Sequence, residues 1–363
     1  MTYRAIGLMS GSSLDGLDIA FVEFGETGGN WSFSLEETAC MPYEAEWQER
    51  LSNATRLGAR DYQILHSEYG HYIGRKVNAF IDERGLQYRV GIIASHGHTT
   101  FHLPPMMTGQ IGCGAAIAAE TGLPVVSDLR AMDVALGGQG APIVPVGEKL
   151  LFPQYRCLLN LGGIANITVE GPEGRVAFDT SPANRVLNLL SARLGMAFDE
   201  GGRVASTGRV NDALLSAIRS LDYYGMPYPK SLANDFGTDV VLPLIDSFGL
   251  DTRDALRTFT EHIAIQVRDG ISSALLAGQG GEERLLITGG GALNGFLVSR
   301  ISELVRPLGI TAEAAEESLA SYKEALIMAL LGVLRWREEE TVLASVTGAR
   351  RSSVGGALWM GQR

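Results

Sequence analysis

Three glycine-rich segments constrain this chain more than any other feature, because each follows directly on a short apolar run. The segments are SGSSLDG (10–16), NLGGIAN (160–166) and LITGGGALN (286–294). Glycine supplies 45 of the 363 residues, well above the average of about 7% in proteins. Clustered glycine beside β-rich segments indicates tight turns where the backbone must approach something closely.

The first segment lies between two predicted strands, over residues 3–8 and 17–24, and so reads as a hairpin turn. A turn rich in glycine and serine presents successive backbone N–H groups in a concave nest that binds phosphate oxygens. Asp15 in this turn suits the orientation of Mg²⁺-bound water. A plain hairpin turn is the alternative, since these are the usual turn residues. The predicted phosphate-binding residues are Gly11, Ser12, Ser13, Leu14, Asp15, Gly16, Leu17 and Asp18.

The second and third segments extend this prediction along the chain. Strands over 157–161 and 167–169 flank the second turn, whose two glycines admit another phosphate, again with a plain turn as the alternative. The third segment is a strand, three glycines and a helix start, which lets an adenosine pack flat against the backbone. It is neither a Walker A loop nor a spaced dinucleotide motif. The predicted nucleotide-binding residues are Gly162, Gly163, Asn166, Gly289, Gly290 and Gly291.

The order of these segments resembles that of the actin–Hsp70–sugar kinase superfamily. The resemblance implies an α/β fold with two actin-like (ribonuclease H-like) lobes and a nucleotide cleft between them. The chain length suits two domains, and strands alternating with amphipathic helices, such as those over 62–84 and 256–276, favour the α/β class. The predicted lobes are 1–128 with 342–363, which carries the first phosphate turn, and 129–341, which carries the second turn and the adenosine motif.

Composition and charge exclude several other classes of protein. The net charge is −11, whereas a nucleic-acid binder normally shows a basic stripe. The three cysteines have no CxxC spacing, which argues against a disulfide framework or a zinc site and favours a reducing compartment. Neither a signal peptide nor an apolar run of about 18 residues is visible. We therefore expect a cytoplasmic protein with no nucleic-acid or membrane partner.

Eight ordered runs narrow the choice further. They are MSGSSLDGLD (9–18), SHGHTTFH (95–102), the stretch 110–145, NLGGIANIT (160–168), FDTSPAN (178–184), PKS (229–231), TGGGALN (288–294) and KEA (323–325). Together they resemble the anhydro-N-acetylmuramic acid kinases over nearly the whole chain. The resemblance implies an enzyme that uses ATP and Mg²⁺ to hydrolyse the anhydro bond of 1,6-anhydro-N-acetylmuramic acid and phosphorylate O6. The product would be N-acetylmuramic acid 6-phosphate, a step of cell-wall recycling, and the resemblance also suggests a homodimer.

The same resemblance assigns one catalytic residue. Asp179 in FDTSPAN matches the catalytic aspartate of the family, and a carboxylate beside C1 of the sugar can take a proton from water. The alternative is a helix N-cap at Asp179 or Ser181.

Four further residues are predicted to bind the sugar. His96 and Thr99 lie in a polar loop predicted after a strand over 90–95, and a metal site there is disfavoured because no carboxylate or cysteine joins its histidines. Arg130 suits the lactyl carboxylate of a muramic acid, with a salt bridge between the domains as the alternative. Glu324 matches a substrate-binding glutamate, with a helix-dipole partner as the alternative. The roles of His98, His102 and Lys230 stay open.

Two other functions remain open at this point. A kinase for a neutral anhydro sugar such as levoglucosan would give Arg130 no carboxylate to meet. A non-catalytic, actin-like nucleotide sensor would need no base at Asp179.

Overall fold

The computed structural model of the chain describes residues 1–11, 14–171, 174–228, 230–233, 235–275 and 283–362. The strands of these residues form two separate sheets. In chain order the strands are β1 (Thr2–Ser10), β2 (Gly16–Thr27), β3 (Asn30–Pro42), β4 (Ile92–Leu103), β5 (Met107–Ile111), β6 (Val125–Ser127), β7 (Cys157–Leu161), β8 (Ile164–Gly171), β9 (Gly174–Pro182), β10 (Glu283–Thr288), β11 (Ile310–Ala314) and β12 (Ala357–Trp359).

Helices connect these strands. In chain order they are α1 (Ala45–Ser52), α2 (Ala59–Glu83), α3 (Gly114–Thr121), α4 (Ala131–Ala135), α5 (Pro145–Leu151), α6 (Asn184–Ala192), α7 (Arg203–Thr207), α8 (Asp212–Arg219), α9 (Asp222–Gly225), α10 (Leu242–Ser247), α11 (Thr252–Ala274), α12 (Gly295–Val305), α13 (Glu317–Trp336) and α14 (Ala344–Thr347). The helices predicted over 62–84 and 256–276 are confirmed as α2 and α11. In the part of the chain that the structure describes, no helix has the length and apolarity to cross a bilayer.

Two compact units divide the chain. The first unit is Met1–Pro153 with Tyr322–Arg363, and the second unit is Gln154–Ser321. The lobe borders predicted after residues 128 and 341 therefore differ from the borders of the structure. The segment after residue 128 stays with the first unit because buried Asp133 accepts a hydrogen bond from Thr347 (2.7 Å). Most of α13 also belongs there, since its residue Ala325 lies directly against Gly7 of β1.

The first unit is built on a sheet with the order β3-β2-β1-β4-β6-β12, and β5 pairs with β4 outside this path. β1 and β2 are antiparallel, with Ser10 opposite Leu17, which confirms the predicted hairpin around the first glycine-rich turn. β4 lies parallel to β1 on its other side, and β6 lies parallel to β4. The turn thus projects from the end of the sheet where β1 stops.

The prediction of a polar loop after a short strand is wrong at β4. This strand continues to Leu103 because β5 pairs antiparallel with its second half, where His98 lies opposite Ile111. His96, His98 and Thr99 are therefore strand residues with fixed directions. His96 and His98 are buried, whereas Thr99 is exposed.

The sheet of the second unit has the order β9-β8-β7-β10-β11. β7, β8 and β9 form an antiparallel meander, while β10 lies parallel to β7 and β11 parallel to β10. This is the order found in the first unit for β3-β2-β1-β4-β6. Each unit therefore carries one glycine-containing turn at the same topological position, between its first and second strands.

Each unit has its own apolar core. In the first unit, α2 covers one face of the sheet with side chains at helical spacing, among them Leu65, Tyr69 and Ile73, which confirms the amphipathic pattern of the sequence. In the second unit, α11 fills the corresponding place with Phe259, Ile263 and other buried side chains. The two cores hold the ends of β1 and β7, and hence both turns, on rigid elements.

Gly7 in the middle of β1 is a point where the helix backbone comes too close for a side chain. A Cβ atom at this position would lie 1.8 Å from the carbonyl oxygen of Ala325 and 2.5 Å from the nitrogen of Ala329 in α13. Neither atom is part of a flexible side chain, so only a shift of α13 can relieve the overlap.

We expect the Gly7→Ala variant to be strongly destabilised. Overpacking of this kind costs about 1–3 kcal/mol, which corresponds to a fall in melting temperature of roughly 2–12 °C. Gly58→Ala is the matched control, because a Cβ at Gly58 meets nothing within 4 Å. Thermal unfolding of both variants tests this, and equal melting temperatures would contradict the close packing at Gly7.

Candidate active site

The first turn closes on itself through its backbone. The N–H of Leu14 donates to the carbonyl of Gly11 (3.4 Å), and Leu14 adopts the left-handed region with φ of +57°. Oδ1 of exposed Asp15 accepts a hydrogen bond from the N–H of Gly16 (3.1 Å). The predicted phosphate ligands Ser12 and Ser13 lie outside the described residues.

The next two predicted residues, Gly16 and Leu17, offer no side chain to a ligand. Leu17 is 1% exposed, because its side chain points into the core of the first unit. Gly16 lies against β3, where a Cβ would be 2.6 Å from Sγ of Cys40. Glycine at this position lets the start of β2 lie close to β3.

Asp18, two residues after this turn, is a carboxylate whose surroundings disfavour its charged form. Burial raises its pKa to about 6, a hydrogen bond with the Cys40 side chain opposes the rise, and the charges of Asp15 and Glu324 add to it. Asp18 and Cys40 are opposite each other in the β2–β3 pair. The protein therefore keeps a carboxylate at a place where ionising it is costly, which is typical of functional sites.

Arg130 lies against His96 in the first unit. Its Nε donates to Nε2 of His96 (2.8 Å), and its Nη1 donates to the carbonyl of Gly140 (2.7 Å). Nδ1 of His96 lies 2.9 Å from the carbonyl of Gly97. A ring nitrogen that accepts from Arg130 carries no proton, so His96 is the neutral tautomer with its proton on Nδ1.

Burial sets the ionisation of this pair. It lowers the pKa of His96 to about 3, with the Arg130 charge adding to the effect. It also lowers the pKa of Arg130 to about 10, while the nearby charge of Glu324 raises it. At neutral pH a charged guanidinium is therefore held by a neutral histidine, close enough to Glu324 for an electrostatic interaction. The predicted substrate residues His96, Arg130 and Glu324 thus gather in one region.

A residue behind Arg130 supports this arrangement. Asp133 is fully buried, and its Oδ2 accepts a hydrogen bond from the N–H of Gly140 (2.7 Å). Its Oδ1 accepts from Oγ1 of Thr347 (2.7 Å). Gly140 has a φ of +64°, which glycine adopts without strain. Asp133 therefore fixes the carbonyl that orients Arg130, a role that sequence spacing alone does not reveal.

The remaining polar side chains of β4 face in different directions. Thr99 lies at the surface, 3.5 Å from Nε2 of Gln110. Nδ1 of His102 lies 3.2 Å from Oγ1 of Thr108 on β5. His98 is 3.1 Å from Oγ of Ser10, at the base of the first turn.

In the second unit, Asp179 is held by hydrogen bonds to both of its carboxylate oxygens. Nδ2 of Asn166 donates to Oδ1 (2.9 Å), and the N–H of Leu232 donates to Oδ2 (2.8 Å). Burial raises the pKa of Asp179, and both hydrogen bonds act against the rise. The second predicted turn thereby contributes Asn166 as the residue that orients the predicted base.

The alternative role of Asp179 as a helix cap is excluded. Asp179 lies within β9, and α6 starts later, with Ala183 as its N-cap. The segment that contains Lys230 covers the aspartate through its backbone, because the N–H of Asp179 donates to the carbonyl of Lys230 (3.1 Å). Nζ of Lys230 itself donates to the carbonyl of Tyr223 (3.1 Å), and burial lowers its pKa.

The third glycine-rich segment packs against the second turn. A Cβ at Gly289 would lie 2.6 Å from Oδ1 of Asn160 and 2.7 Å from the carbonyl oxygen of Leu161, and one at Gly291 would lie 2.6 Å from Cβ of Leu161. Gly289 has a φ of +81°. Glycine is therefore required for the end of β10 to reach the end of β7. Asn184 also contacts the end of β7, since its Nδ2 donates to the carbonyl of Leu161 (2.9 Å).

A cavity of about 550 Å³ opens beside these glycines in the second unit. This volume is within the range of sites for ligands of nucleotide size. Its lining residues are Asn184, Leu187, Asn188, Phe198, Asp199, Glu200, Gly201, Thr260, Gly290, Gly291, Leu293, Asn294 and Glu317. The sequence predicted only the two glycines of this set. The residues from α6 and from 198–201 carry no motif, although Asn184 ends the FDTSPAN run.

Carboxylates suited to a divalent cation lie in the first turn. Mg²⁺ takes one or two carboxylates and keeps several waters, so Asp15 and Asp18 fit its chemistry without a full protein cage. Across the described ranges, no group of three or more His, Cys, Asp or Glu side chains forms a metal site.

Fold and site together define a class of protein. Two units with the same strand order, each with a turn after its first strand, and a glycine-lined cavity beside the second turn are the features of an actin-like kinase. The family model described as "Anhydro-N-acetylmuramic acid kinase" matches residues 3–361. The chain belongs to the anhydro-N-acetylmuramic acid kinase family.

Curated relatives agree with this assignment over their full lengths. The chain is 34% identical to a protein of Shewanella denitrificans over 98% of this chain and 97% of the relative, and 35% identical to one of Xanthomonas oryzae over 98% and 96%. Both relatives are named anhydro-N-acetylmuramic acid kinase. Among solved structures, an activator of 2-hydroxyisocaproyl-CoA dehydratase from Clostridium difficile with bound ADPNP gives a TM-score of 0.44 at 12% identity. It covers 92% of this chain and 96% of its own, but the likeness is too weak to add to the assignment.

The raised pKa of Asp18 predicts how stability changes with pH. Because the pKa is raised from 3.8 to about 6 in the folded state, the folded protein binds this proton more tightly than the unfolded chain. The stability that the proton contributes is complete below pH 4 and is lost as the pH rises through 6. We therefore expect Asp18→Asn to gain stability over wild type between pH 4.5 and pH 7.5.

Thermal unfolding of wild type and Asp18→Asn across this pH range measures the difference directly. Titration of groups that do not interact with Asp18 cancels in the comparison of the two proteins. A difference in melting temperature that does not change with pH would contradict the burial of the Asp18 charge.

Proposed function

We propose that the chain uses ATP to phosphorylate 1,6-anhydro-N-acetylmuramic acid on O6 while water opens its anhydro bond, giving N-acetylmuramic acid 6-phosphate and ADP. Membership of the family over residues 3–361 supports this reaction. The observation that carries the proposal is Asp179, a half-buried carboxylate with both oxygens in hydrogen bonds. A nucleotide sensor without catalysis would have no use for such a group.

The proposed reaction consists of one displacement at C1 of the sugar and one at the γ-phosphorus of ATP. Water forms a bond to C1 and gives one proton to the carboxylate of Asp179, while the bond from C1 to O6 breaks. O6 then forms a bond to the γ-phosphorus of ATP, and the bond from that phosphorus to the bridging oxygen of ADP breaks. Opening the internal ring bond thereby supplies the nucleophile for phosphoryl transfer.

The surroundings of Asp179 suit a general base. A base must be ionised before it reacts, and the donors Asn166 and Leu232 favour the ionised form. It must also accept a proton readily, and burial raises its pKa and so increases its proton affinity. The same two hydrogen bonds leave the carboxylate little freedom to rotate, which fixes the direction in which it accepts the proton.

Nucleotide binding is assigned to the three glycine-rich segments. Backbone N–H groups of the two turns suit the phosphates, and Gly289–Gly291 with the cavity of about 550 Å³ suit the adenosine. Asp15 and Asp18 would hold the water ligands of Mg²⁺, which neutralises phosphate charge in phosphoryl transfer. A cation there would also favour the ionised form of Asp18, which burial disfavours.

Arg130 distinguishes a muramic substrate from a neutral anhydro sugar. Among the described residues its hydrogen bonds run from Nε to His96 and from Nη1 to Gly140, which leaves Nη2 to bind the lactyl carboxylate. Glu324, in electrostatic reach of Arg130, suits the polar groups of the sugar, together with His96 and Thr99. No observation favours the neutral-sugar kinase.

The cysteines support a cytoplasmic location. Cys40, Cys113 and Cys157 are all free thiols, which favours a reducing compartment such as the cytoplasm. The homodimer implied by the family resemblance stays a prediction.

Replacing the base tests the catalytic assignment. We expect wild type to form ADP only when 1,6-anhydro-N-acetylmuramic acid is added, and Asp179→Asn to lower kcat by roughly 10²- to 10⁴-fold, because the amide accepts no proton. The affinity for ATP, measured by calorimetry, should change less than twofold. Asp212→Asn, an exposed acid at the start of α8, serves as the matched control with full activity. An Asp179→Asn variant that keeps its turnover would refute the assignment.

Replacing the guanidinium tests the substrate class. Loss of one charge-assisted hydrogen bond costs about 1.5–3 kcal/mol, so Arg130→Met should raise the KM for 1,6-anhydro-N-acetylmuramic acid by roughly 10- to 100-fold. The KM for levoglucosan, which has no carboxylate, should change little in the same variant. This second sugar is an internal control for misfolding. Equal effects on the two sugars would rule out the carboxylate contact.

A further inference from the structure

A buried chain of polar side chains lies behind the first phosphate turn in the first unit. The hydroxyl of Tyr43 donates to Oγ of Ser10 (2.8 Å), and Oγ of Ser10 lies 3.1 Å from Nδ1 of His98. On the other side, the hydroxyls of Tyr43 and Tyr69 are 2.5 Å apart. All four residues are buried. Such a satisfied polar network inside an apolar core fixes one arrangement of its members.

Tyr43 holds the turn at both of its ends. Its hydroxyl bonds Ser10, the last residue of β1. Its backbone N–H donates to the carbonyl of Asp15, at the end of the turn (3.3 Å). Gly11 and Leu14 lie between these two anchors in the chain, so a single residue links the two ends of the turn.

His98 ties the same point to the strand that carries the predicted sugar ligands. Ser10 and His98 are partners in the parallel pairing of β1 with β4, where the register shifts. With the Tyr43 hydroxyl donating to Ser10, the Ser10 hydroxyl is left to donate to Nδ1 of His98. Burial lowers the pKa of His98 to about 4, so the ring is neutral and accepts this hydrogen bond at physiological pH.

We propose that Tyr43 is a positioning residue for nucleotide binding, which acts through Ser10 and His98 to set the geometry of the first phosphate turn. This inference rests on the proposed function, because it takes the turn to bind the phosphates of ATP. None of the three side chains needs to touch the nucleotide. They fix the Ser10 end of the turn, and the backbone N–H of Tyr43 fixes the Asp15 end. Placement within a fraction of an ångström decides how well binding groups act.

The first test removes one oxygen atom from Tyr43. We expect Tyr43→Phe to weaken binding of a non-hydrolysable ATP analogue by roughly five- to tenfold in calorimetry, since one buried hydrogen bond to the turn is lost. Its KM for ATP should rise while its KM for the sugar stays within twofold. Tyr72→Phe is the matched control: its ring lies in the same aromatic cluster, 6.1 Å from that of Tyr43, but its hydroxyl bonds Glu44 (2.8 Å) and not the turn. The control should keep wild-type affinity.

The second test uses rescue at His98. Asparagine places its amide where Nδ1 lies and can accept from Ser10, whereas leucine cannot. We therefore expect His98→Asn to retain nucleotide affinity and His98→Leu to show the same loss as Tyr43→Phe. Melting temperatures of all four variants separate a loss of folding from a loss of positioning.

The outcomes distinguish this inference from the proposed function. Equal analogue affinity for Tyr43→Phe and Tyr72→Phe would overturn the inference and leave the proposed function intact. Wild type that binds the analogue with the predicted dependence on Tyr43, but shows no sugar-dependent ADP formation, would uphold the inference and refute the proposed function. Wild type that does not bind the analogue would overturn both.

Discussion

Close approach of backbone to backbone at glycine is the constraint on which both units depend. Gly7 lets α13 lie directly on β1, and Gly289 lets the end of β10 reach the end of β7. In each case a Cβ would meet a main-chain atom rather than only a side chain that can move. The high glycine content of the sequence thus has a packing role. At these two positions it lets main-chain segments lie closer together than a side chain would allow.

Keeping ionisable side chains in partly buried positions has a cost in free energy. Burial moves the pKa of Asp18, Arg130 and Asp179 against their charged forms, and specific partners oppose it in each case. Such groups weaken the fold unless a ligand or neighbour compensates. The partners are hydrogen bonds from Cys40 to Asp18 and from Asn166 and Leu232 to Asp179, and the charge of Glu324 near Arg130. Each of these groups therefore lowers the stability of its own unit, while its partner favours the charged form.

Local pattern in the sequence was enough to predict the two hairpins, the helices α2 and α11, and the strand that leads into the three glycines. The predicted base is found in a strand with both oxygens bonded, as a positioned carboxylate requires. What the sequence did not predict depends on long-range pairing. β4 continues past His98 only because β5 returns to pair with it. The borders of the units follow from contacts such as that of Asp133 with Thr347, which are far apart in the chain.

Sequence motifs also did not predict the residues that position the predicted ligand-binding residues. Tyr43 carries no motif, and its bonds reach Ser10 and Tyr69 on other elements. The cavity of the second unit takes lining residues from 198–201, where Asp199, Glu200 and Gly201 belong to no motif that identifies a nucleotide site. Motifs identify residues that touch ligands. The residues that position those ligand-binding residues come from distant parts of the chain, and only the tertiary structure shows that they lie together.

The central claim is that one active site adds water to a sugar carbon and phosphate to the oxygen that this carbon releases. The most direct measurement is to run the reaction with ATP, Mg²⁺ and 1,6-anhydro-N-acetylmuramic acid in H₂¹⁸O, quench it rapidly into borohydride, and locate the label by mass spectrometry. The account predicts a product heavier by one phosphate and one water, with ¹⁸O on C1 and none in the phosphoryl group. Label in free phosphate without a sugar phosphate, or a phosphorylated sugar that has gained no water, would contradict it.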